Sequence, residues 1–218
     1  MILRIKNKKV ENKNSFSLVF EKPEGFNFYP GQYLDIKLPI FDPNGDTRAF
    51  TISSSPTEDF LMITPKKGIS PFKKFIEHLK SGDTIESSHP AGTFTLDESS
   101  PAVFLAGGIG ITPFRSIIKY CLDQQISTAM ALIYSNSDTN FLFKKELEIW
   151  KQKLSNLTII YYNSTLSGRL NHQSLIINHK SIYYLAGSHS FVNNMAEILI
   201  KDGVDETNLR YDRFDGYL

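Results

Sequence analysis

The sequence predicts a β + α/β chain: an N-terminal six-stranded antiparallel Greek-key barrel followed by a Rossmann-like parallel-sheet α/β domain. Three observations support this. Residues 1–98 contain six short alternating or β-branched runs separated by turn residues. From residue 101 onward, apolar runs alternate with helical stretches. Between them lies the polar segment Asp97-Glu98-Ser99-Ser100-Pro101, which places the expected boundary between residues 98 and 99.

The expected strands of the first half are Leu3–Val10, Phe16–Glu21, Tyr33–Leu38, Arg48–Ser53, Phe60–Thr64 and Thr84–Ser88. Pro23-Glu24-Gly25, Pro30-Gly31, Pro43-Asn44-Gly45 and Ser81-Gly82-Asp83 supply the turn chemistry between them. One helix is expected at Pro71–Leu79, where Phe72, Phe75, Ile76 and Leu79 recur at helical spacing. Ser70 suits its N-cap and Pro71 its first position. With Lys66 and Lys67 upstream, this helix start reads either as an anion site or as an ordinary capped connection.

In the second half, strands are expected at Ala102–Ala106, Ala129–Tyr134, Leu157–Tyr162, Ile182–Ala186 and Leu209–Tyr211. Helices are expected at Pro113–Leu122, Phe141–Leu154, Gln173–Ile177 and Phe191–Lys201. Such alternation specifies a parallel sheet covered on both faces.

Composition narrows the function classes. The 218 residues carry 24 Lys and Arg against 23 Asp and Glu, so no net field favours nucleic acid or an anionic membrane. No segment approaches the roughly 18 consecutive apolar residues of a spanning helix. The start, Met1 to Lys6, alternates like a strand rather than a signal peptide, so a cytoplasmic protein is expected. Cys121 is the only cysteine, which excludes an intrachain disulfide and a cluster needing about four thiolates. Its apolar neighbours mark it as a buried structural thiol, and no metal site is expected.

The second half carries the clearer chemistry. Ala102–Ala106 runs into Gly107-Gly108-Ile109-Gly110, and Thr112 and Pro113 follow as an expected N-cap and first-turn pair. A buried strand, a glycine turn and a helix start form a cradle for a pyrophosphate. The turn is not the G-x-G-x-x-G fingerprint, no acidic residue is clearly placed about 20 positions on, and an ordinary strand-to-helix turn reads similarly. Tyr134-Ser135-Asn136-Ser137 and Gly187-Ser188-His189-Ser190 follow two other strands. All three segments would lie at the carboxyl edge of the sheet, where open α/β sheets bind ligands.

Several further segments, taken in order, resemble a known family. These are Phe28-Tyr29-Pro30-Gly31-Gln32-Tyr33, Arg48-Ala49-Phe50-Thr51-Ile52-Ser53-Ser54, Lys67-Gly68-Ile69-Ser70, Gly82-Asp83 with Pro90–Phe94, the glycine turn ending in Thr112-Pro113, and Asp212-Arg213-Phe214-Asp215-Gly216-Tyr217. Across nearly its whole length the chain resembles the ferredoxin–NADP reductase superfamily. That resemblance implies a flavin-binding barrel at 1–98 and a nicotinamide-dinucleotide-binding domain at 99–218.

It also implies roles. Arg48 would meet the flavin pyrophosphate and Phe50 would pack on the flavin, with Ile52, Ser53, Ser54, Thr64, Lys67, Gly68, Ile69 and Ser70 completing that site. Gly107, Gly108, Gly110, Thr112, Pro113, Ser135, Asn136, Arg169, Gly187 and Ser188 would hold the dinucleotide. Thr51, near flavin N5, Thr112 and Phe214 would belong to the reacting centre. The implied function is an FAD-dependent NAD(P)H oxidoreductase passing hydride to flavin and then single electrons to a separate acceptor, such as a ferredoxin, flavodoxin or haem protein. FAD is expected rather than FMN.

Four departures from the family pattern stand out. Phe50 replaces a commoner tyrosine, His89 stands where a glycine usually precedes Pro90, Ala186-Gly187-Ser188 replaces Cys-Gly-Pro, and Ser137-Asp138 replaces a basic residue. Hydride transfer needs donor and acceptor held about 3–3.5 Å apart more than it needs a thiol. A carboxylate at Asp138 repels a 2′-phosphate, so NADH is expected over NADPH, although Arg169 could reach the same region. Two rival readings are an electron-delivery subunit of an oxygenase or dehydrogenase complex and a flavin-free binding module on the same fold.

Overall fold

The computed structural model describes residues 1–171, 175 and 177–214. Its first half forms a curled antiparallel sheet of β1 (Ile2–Asn12), β2 (Ser15–Glu21), β3 (Tyr33–Lys37), β4 (Thr47–Thr51), β5 (Phe60–Ile63) and β6 (Thr84–Ser87). The strand order is β4-β3-β6-β1-β2-β5. One long strand holds this sheet together. Residues Ile2–Arg4 of β1 pair with β6, whereas Ile5 onward pairs with β2, and a register shift between Ile5 and Asn7 bends the strand where it changes partners. Alternation turns Leu3 and Ile5 inward, onto Phe16, Leu18, Phe20, Leu34 and Ile36.

The expected barrel is a half-barrel. Its outer strands β4 and β5 share no ladder, but just past the end of β4 the Ser53 amide donates to the Met62 carbonyl at 2.7 Å. Beyond Thr51 the chain meets β5 at Met62, through Ser53 and Ser54, while the carbonyls of the same two serines accept from Arg115 and Ser116 of the second half. The expected helix is α1 (Pro71–His78); Phe72 and Ile76, one turn apart, plug the open end of the core.

The second sheet comprises β7 (Ala102–Gly107), β8 (Met130–Asn136), β9 (Leu157–Asn163), β10 (Ile182–Ser188) and β11 (Leu209–Phe214). Every pair is parallel and the order is β11-β10-β7-β8-β9. The chain proceeds from β7 to one side through β8 and β9, then returns to the other side as β10. The switch point therefore lies between β7 and β10, where such sheets bind ligands. Around the sheet pack α2 (Ile111–Asp123), α3 (Lys144–Lys153), the short α4 (Ser164–Ser167) and α5 (His189–Lys201), giving one apolar cluster on each face.

Two helix starts differ from expectation. α2 begins at Ile111, directly after a 3-10 turn at Gly108–Gly110, so Thr112 lies inside the first turn rather than at the cap. Its hydroxyl donates back to the Ile109 carbonyl at 3.1 Å. α3 starts at Lys144 rather than Phe141 because Phe143 adopts a left-handed φ of 58°. α4, capped by the Asn163 side chain, gives no sequence signal at only four residues. The helix expected over Gln173–Ile177 falls largely outside the described residues, as do residues 215–217 of the terminal motif.

Cys121 is fully buried in the core, which pushes its thiol up to about 12. Among the described residues no helix is long and apolar enough to cross a membrane.

Candidate active site

A cleft of about 760 Å³ lies between the half-barrel and the carboxyl edge of the parallel sheet. One wall is built by the end of β4, the segment after β5 and the start of α1. The other is built by the turns after β7, β8 and β10, and the end of β11 lies between them.

Each position follows from local structure. Thr51 ends β4, and its hydroxyl donates to Asp212 Oδ2 at 3.4 Å across the cleft. Phe50 stacks on Phe72 of α1, with ring centroids 6.0 Å apart. Gly108 adopts φ +56°, and Lys66 Nζ lies 3.6 Å from where a side chain at Gly108 would begin. Thus a cation of the first half faces the glycine turn of the second. Asn136 Oδ1 approaches the same point at 3.8 Å, while its amide nitrogen donates to Asp138 Oδ1 at 3.0 Å. Ser188 caps α5, accepting from the Phe191 amide at 3.3 Å.

Two expected anion donors have other partners. The Phe72 amide, in the first turn of α1, donates to Asp42 Oδ2 at 3.0 Å, and the Lys73 amide donates to the Ser70 hydroxyl at 3.3 Å. The amides of Asn44 and Phe72 hold the Asp42 carboxyl below its ordinary range. Arg48 Nη1 donates to the carbonyls of Asn44, Gly45 and Thr47 at 2.7, 2.8 and 2.8 Å, and Nη2 lies 3.4 Å from Asp42. Much of its fork therefore serves the turn before β4, although the residue still borders the cleft. Lys66 and Lys73 add positive charge there; partial burial, then the charge of Lys73, lowers the Lys66 ammonium.

Of the residues singled out from sequence, Arg48, Phe50, Thr51, Thr64, Ser70, Gly107, Gly108, Thr112, Ser135, Asn136, Ser188 and Phe214 line the cleft. Ile52, Ser53, Ser54, Lys67, Gly68, Ile69, Gly110, Pro113, Arg169 and Gly187 do not. Ile52 belongs to the half-barrel core, and Ser53 and Ser54 are buried against Met62 and α2. Lys67 turns the other way and pairs with Glu77 at 3.2 Å. Gly68 packs on the Lys73 stem, and Ile69 is exposed. Gly110 abuts the β10 backbone, Pro113 is buried in α2, Gly187 lies between Phe191 and Gly107, and Arg169 is exposed. His89 is likewise exposed, away from the cleft.

Sequence reasoning names Lys66 only as a cation upstream of the α1 start and Asp212 only within the terminal motif, and gives neither a place among the site residues. Proximity in the chain was the available signal: Lys66 lies two residues after Thr64 and Asp212 two before Phe214, and both segments line the cleft without a break. Burial pushes the Asp212 carboxyl up to about 7, partly opposed by the Thr51 hydroxyl. This folded value lies above the ordinary carboxyl value of about 3.9. The native state therefore keeps a proton that the unfolded chain releases, and stability falls as pH rises from about 4 to about 7, then levels off. Asp212→Asn is expected to stabilise the chain at about pH 8 and to change little at about pH 4, as urea unfolding at the two pH values would show. An equal effect at both would contradict a raised Asp212.

The sequence model of the oxidoreductase NAD-binding domain matches residues 104–207. Flavohemoprotein A of Dictyostelium discoideum is 28% identical over 229 residues, covering 94% of this chain and 57% of that protein. The ferredoxin reductase component of 3-ketosteroid-9-alpha-monooxygenase from Mycolicibacterium smegmatis is 31% identical over 171 residues, 72% of this chain and 48% of that one. The chain thus spans about half the length of these two relatives. A ferredoxin NADP+ reductase from Neisseria gonorrhoeae, with FAD and NADP bound, superposes with a TM-score of 0.83 at 17% identity, covering 98% of both chains, a likeness of fold.

Proposed function

The chain belongs to the ferredoxin–NADP reductase superfamily of flavin-dependent oxidoreductases, and from that premise we propose that it moves hydride from a reduced nicotinamide dinucleotide to FAD, and then single electrons to a separate acceptor such as a ferredoxin or flavodoxin. The observation that carries this reading is that one cleft is bordered both by Phe50 and Thr51 and by the glycine turn after β7. Its volume of about 760 Å³ suits a cofactor-sized ligand. The residues present fit a flavin: Phe50 and Tyr33 offer ring faces, while Arg48, Lys66 and Lys73 offer positive charge for phosphates.

When bound, a flavin supplies the conversion of a two-electron donor into single electrons, chemistry no side chain here can perform. The chain supplies alignment and exclusion of water. Gly108 leaves backbone open to a dinucleotide, Gly107 makes room for the Phe191 ring beside it, and Ser135, Asn136 and Ser188 offer polar contacts at the same sheet edge. Thr51 holds the Asp212 carboxyl, which, kept protonated to about pH 7, can hold or pass a proton at the cleft. Phe214, two residues beyond Asp212, can cover the ring site.

An anaerobic titration of the purified protein with NADH, followed by flavin bleaching, tests the reading. A yellow protein that bleaches is expected. A colourless protein that stays so after incubation with FAD or FMN would instead favour a flavin-free binding module.

The nicotinamide preference belongs to the same proposal. Asp138 follows the β8 edge, and Arg169 is exposed and does not border the cleft. We expect kcat/KM for NADH to exceed that for NADPH by about tenfold, equivalent to 1.4 kcal/mol. A tenfold advantage for NADPH would overturn this.

The relative named as a ferredoxin reductase component motivates a second reading, electron delivery inside a larger oxygenase complex. Stable co-purification with a catalytic partner would favour it.

A further inference from the structure

Arg115 lies on the second turn of α2, one turn after the glycine turn and Thr112, and its side chain is 2% exposed. All five of its N–H donors are used. Nη1 donates to the Ser53 carbonyl at 2.8 Å and to Glu58 Oε2 at 2.9 Å. Nη2 donates to Glu58 Oε1 and to Glu146 Oε1, each at 3.1 Å, and Nε donates to Glu146 Oε2 at 2.9 Å. The guanidinium also lies over the rings of Phe143 and Trp150, 5.3 Å from each centroid. A lysine would offer three donors and no planar fork, so this constellation is specific to arginine.

What the guanidinium joins gives it a further meaning. Ser53 lies two residues after Thr51, and the next residue of α2, Ser116, donates to the Ser54 carbonyl at 2.6 Å. Glu58 in turn accepts from the Ser55 amide at 2.6 Å. Further along, the Thr57 hydroxyl donates to Asp123 at the end of α2. The helix that begins at the glycine turn therefore also clamps the chain leaving β4.

We propose that Arg115 is a positioning residue: by holding the Ser53 carbonyl and Glu58 against α2, it fixes Thr51 relative to the glycine turn and so sets the separation of the two cofactors. The inference rests on the reading of the cleft as a flavin and nicotinamide site. It assigns Arg115 no contact with either cofactor; Arg115 does not border the cleft. Hydride transfer is steeply sensitive to such separation, since a displacement of about 1 Å can cost on the order of a hundredfold.

The test uses Arg115→Lys and Glu146→Gln in the full chain. Single-turnover flavin reduction is expected to slow roughly ten- to hundredfold in Arg115→Lys, while the Kd for nicotinamide and flavin occupancy stay within about twofold. Glu146→Gln, which keeps one acceptor oxygen for Arg115 and sets an amide donor against its other N–H, is expected to slow it only a few-fold and serves if Arg115→Lys does not fold.

A second measurement needs no cofactor. Hydrogen–deuterium exchange of the flavin-free chain is expected to rise across residues 52–58 in the variants, with little change in β1 and β2. If the wild-type chain binds no flavin, the functional reading fails, but the exchange result still decides whether Arg115 fixes this segment. Unchanged exchange and an unchanged hydride step would overturn the proposal. A slowed step that merely tracks lost flavin or lost nicotinamide affinity would also overturn it.

Discussion

Replacing Gly110 with alanine is expected to lower stability by about 3 kcal/mol and to abolish nicotinamide binding. An added Cβ would lie 2.1 Å from the Ala186 carbonyl oxygen, 2.4 Å from its carbon and 2.7 Å from the Gly187 nitrogen. All three are backbone atoms of β10, a strand laddered to neighbours on both sides, so no rotamer change relieves the overlap. Gly108→Ala provides the contrast. Its φ of +56° strains any side chain, but the nearest atom to the new Cβ lies 3.6 Å away, so a loss of about 1 kcal/mol is expected. Urea unfolding of both variants checks the ranking. A Gly110→Ala change within about 0.5 kcal/mol of wild type, the range of a neutral surface substitution, would contradict the close approach of α2 to β10.

Arg115→Met is expected to destabilise by about 3–5 kcal/mol, because it leaves Glu58 and Glu146 facing each other without the cation both surround. For a chain of this size that corresponds to a fall in Tm of roughly 6–20 °C. Adding Glu58→Leu and Glu146→Leu to the same variant is expected to recover a large part of the loss. Breaking a buried ion cluster costs more than replacing it whole with apolar side chains. Thermal unfolding of the single and triple variants measures both. A single variant as stable as wild type would show that the cluster contributes nothing net.

Much of the fold was legible because its signals are local. Alternation in β1 to β6, the continuous apolar run of β7 and the helical spacing of Phe72 and Ile76 each specify an element without reference to distant residues. The start of α3 was not legible, since it depends on a left-handed Phe143, a conformation the residue type argues against. In the cleft, motif membership and contact proved to be different properties. Ser53 and Ser54 belong to the flavin-like motif yet turn inward to Met62 and α2, whereas Lys66, outside the motif segment, faces the glycine turn. Asp42 was invisible for a similar reason: its role as a partner for the start of α1 and for Arg48 follows from tertiary placement, 30 residues before Phe72.

Residues 53–62 are covalently continuous with the half-barrel but take many of their partners from the other half, through Arg115, Ser116 and Asp123, and Met62 joins the core that contains Phe114 and Ile117. Recombination therefore has a constraint that chain order hides. A chimera joined at the polar linker near residue 98 would import a foreign residue opposite Arg115 unless positions 58, 115 and 146 came from one parent. In this chain Glu58 is the one member of the three that such a junction parts from the others.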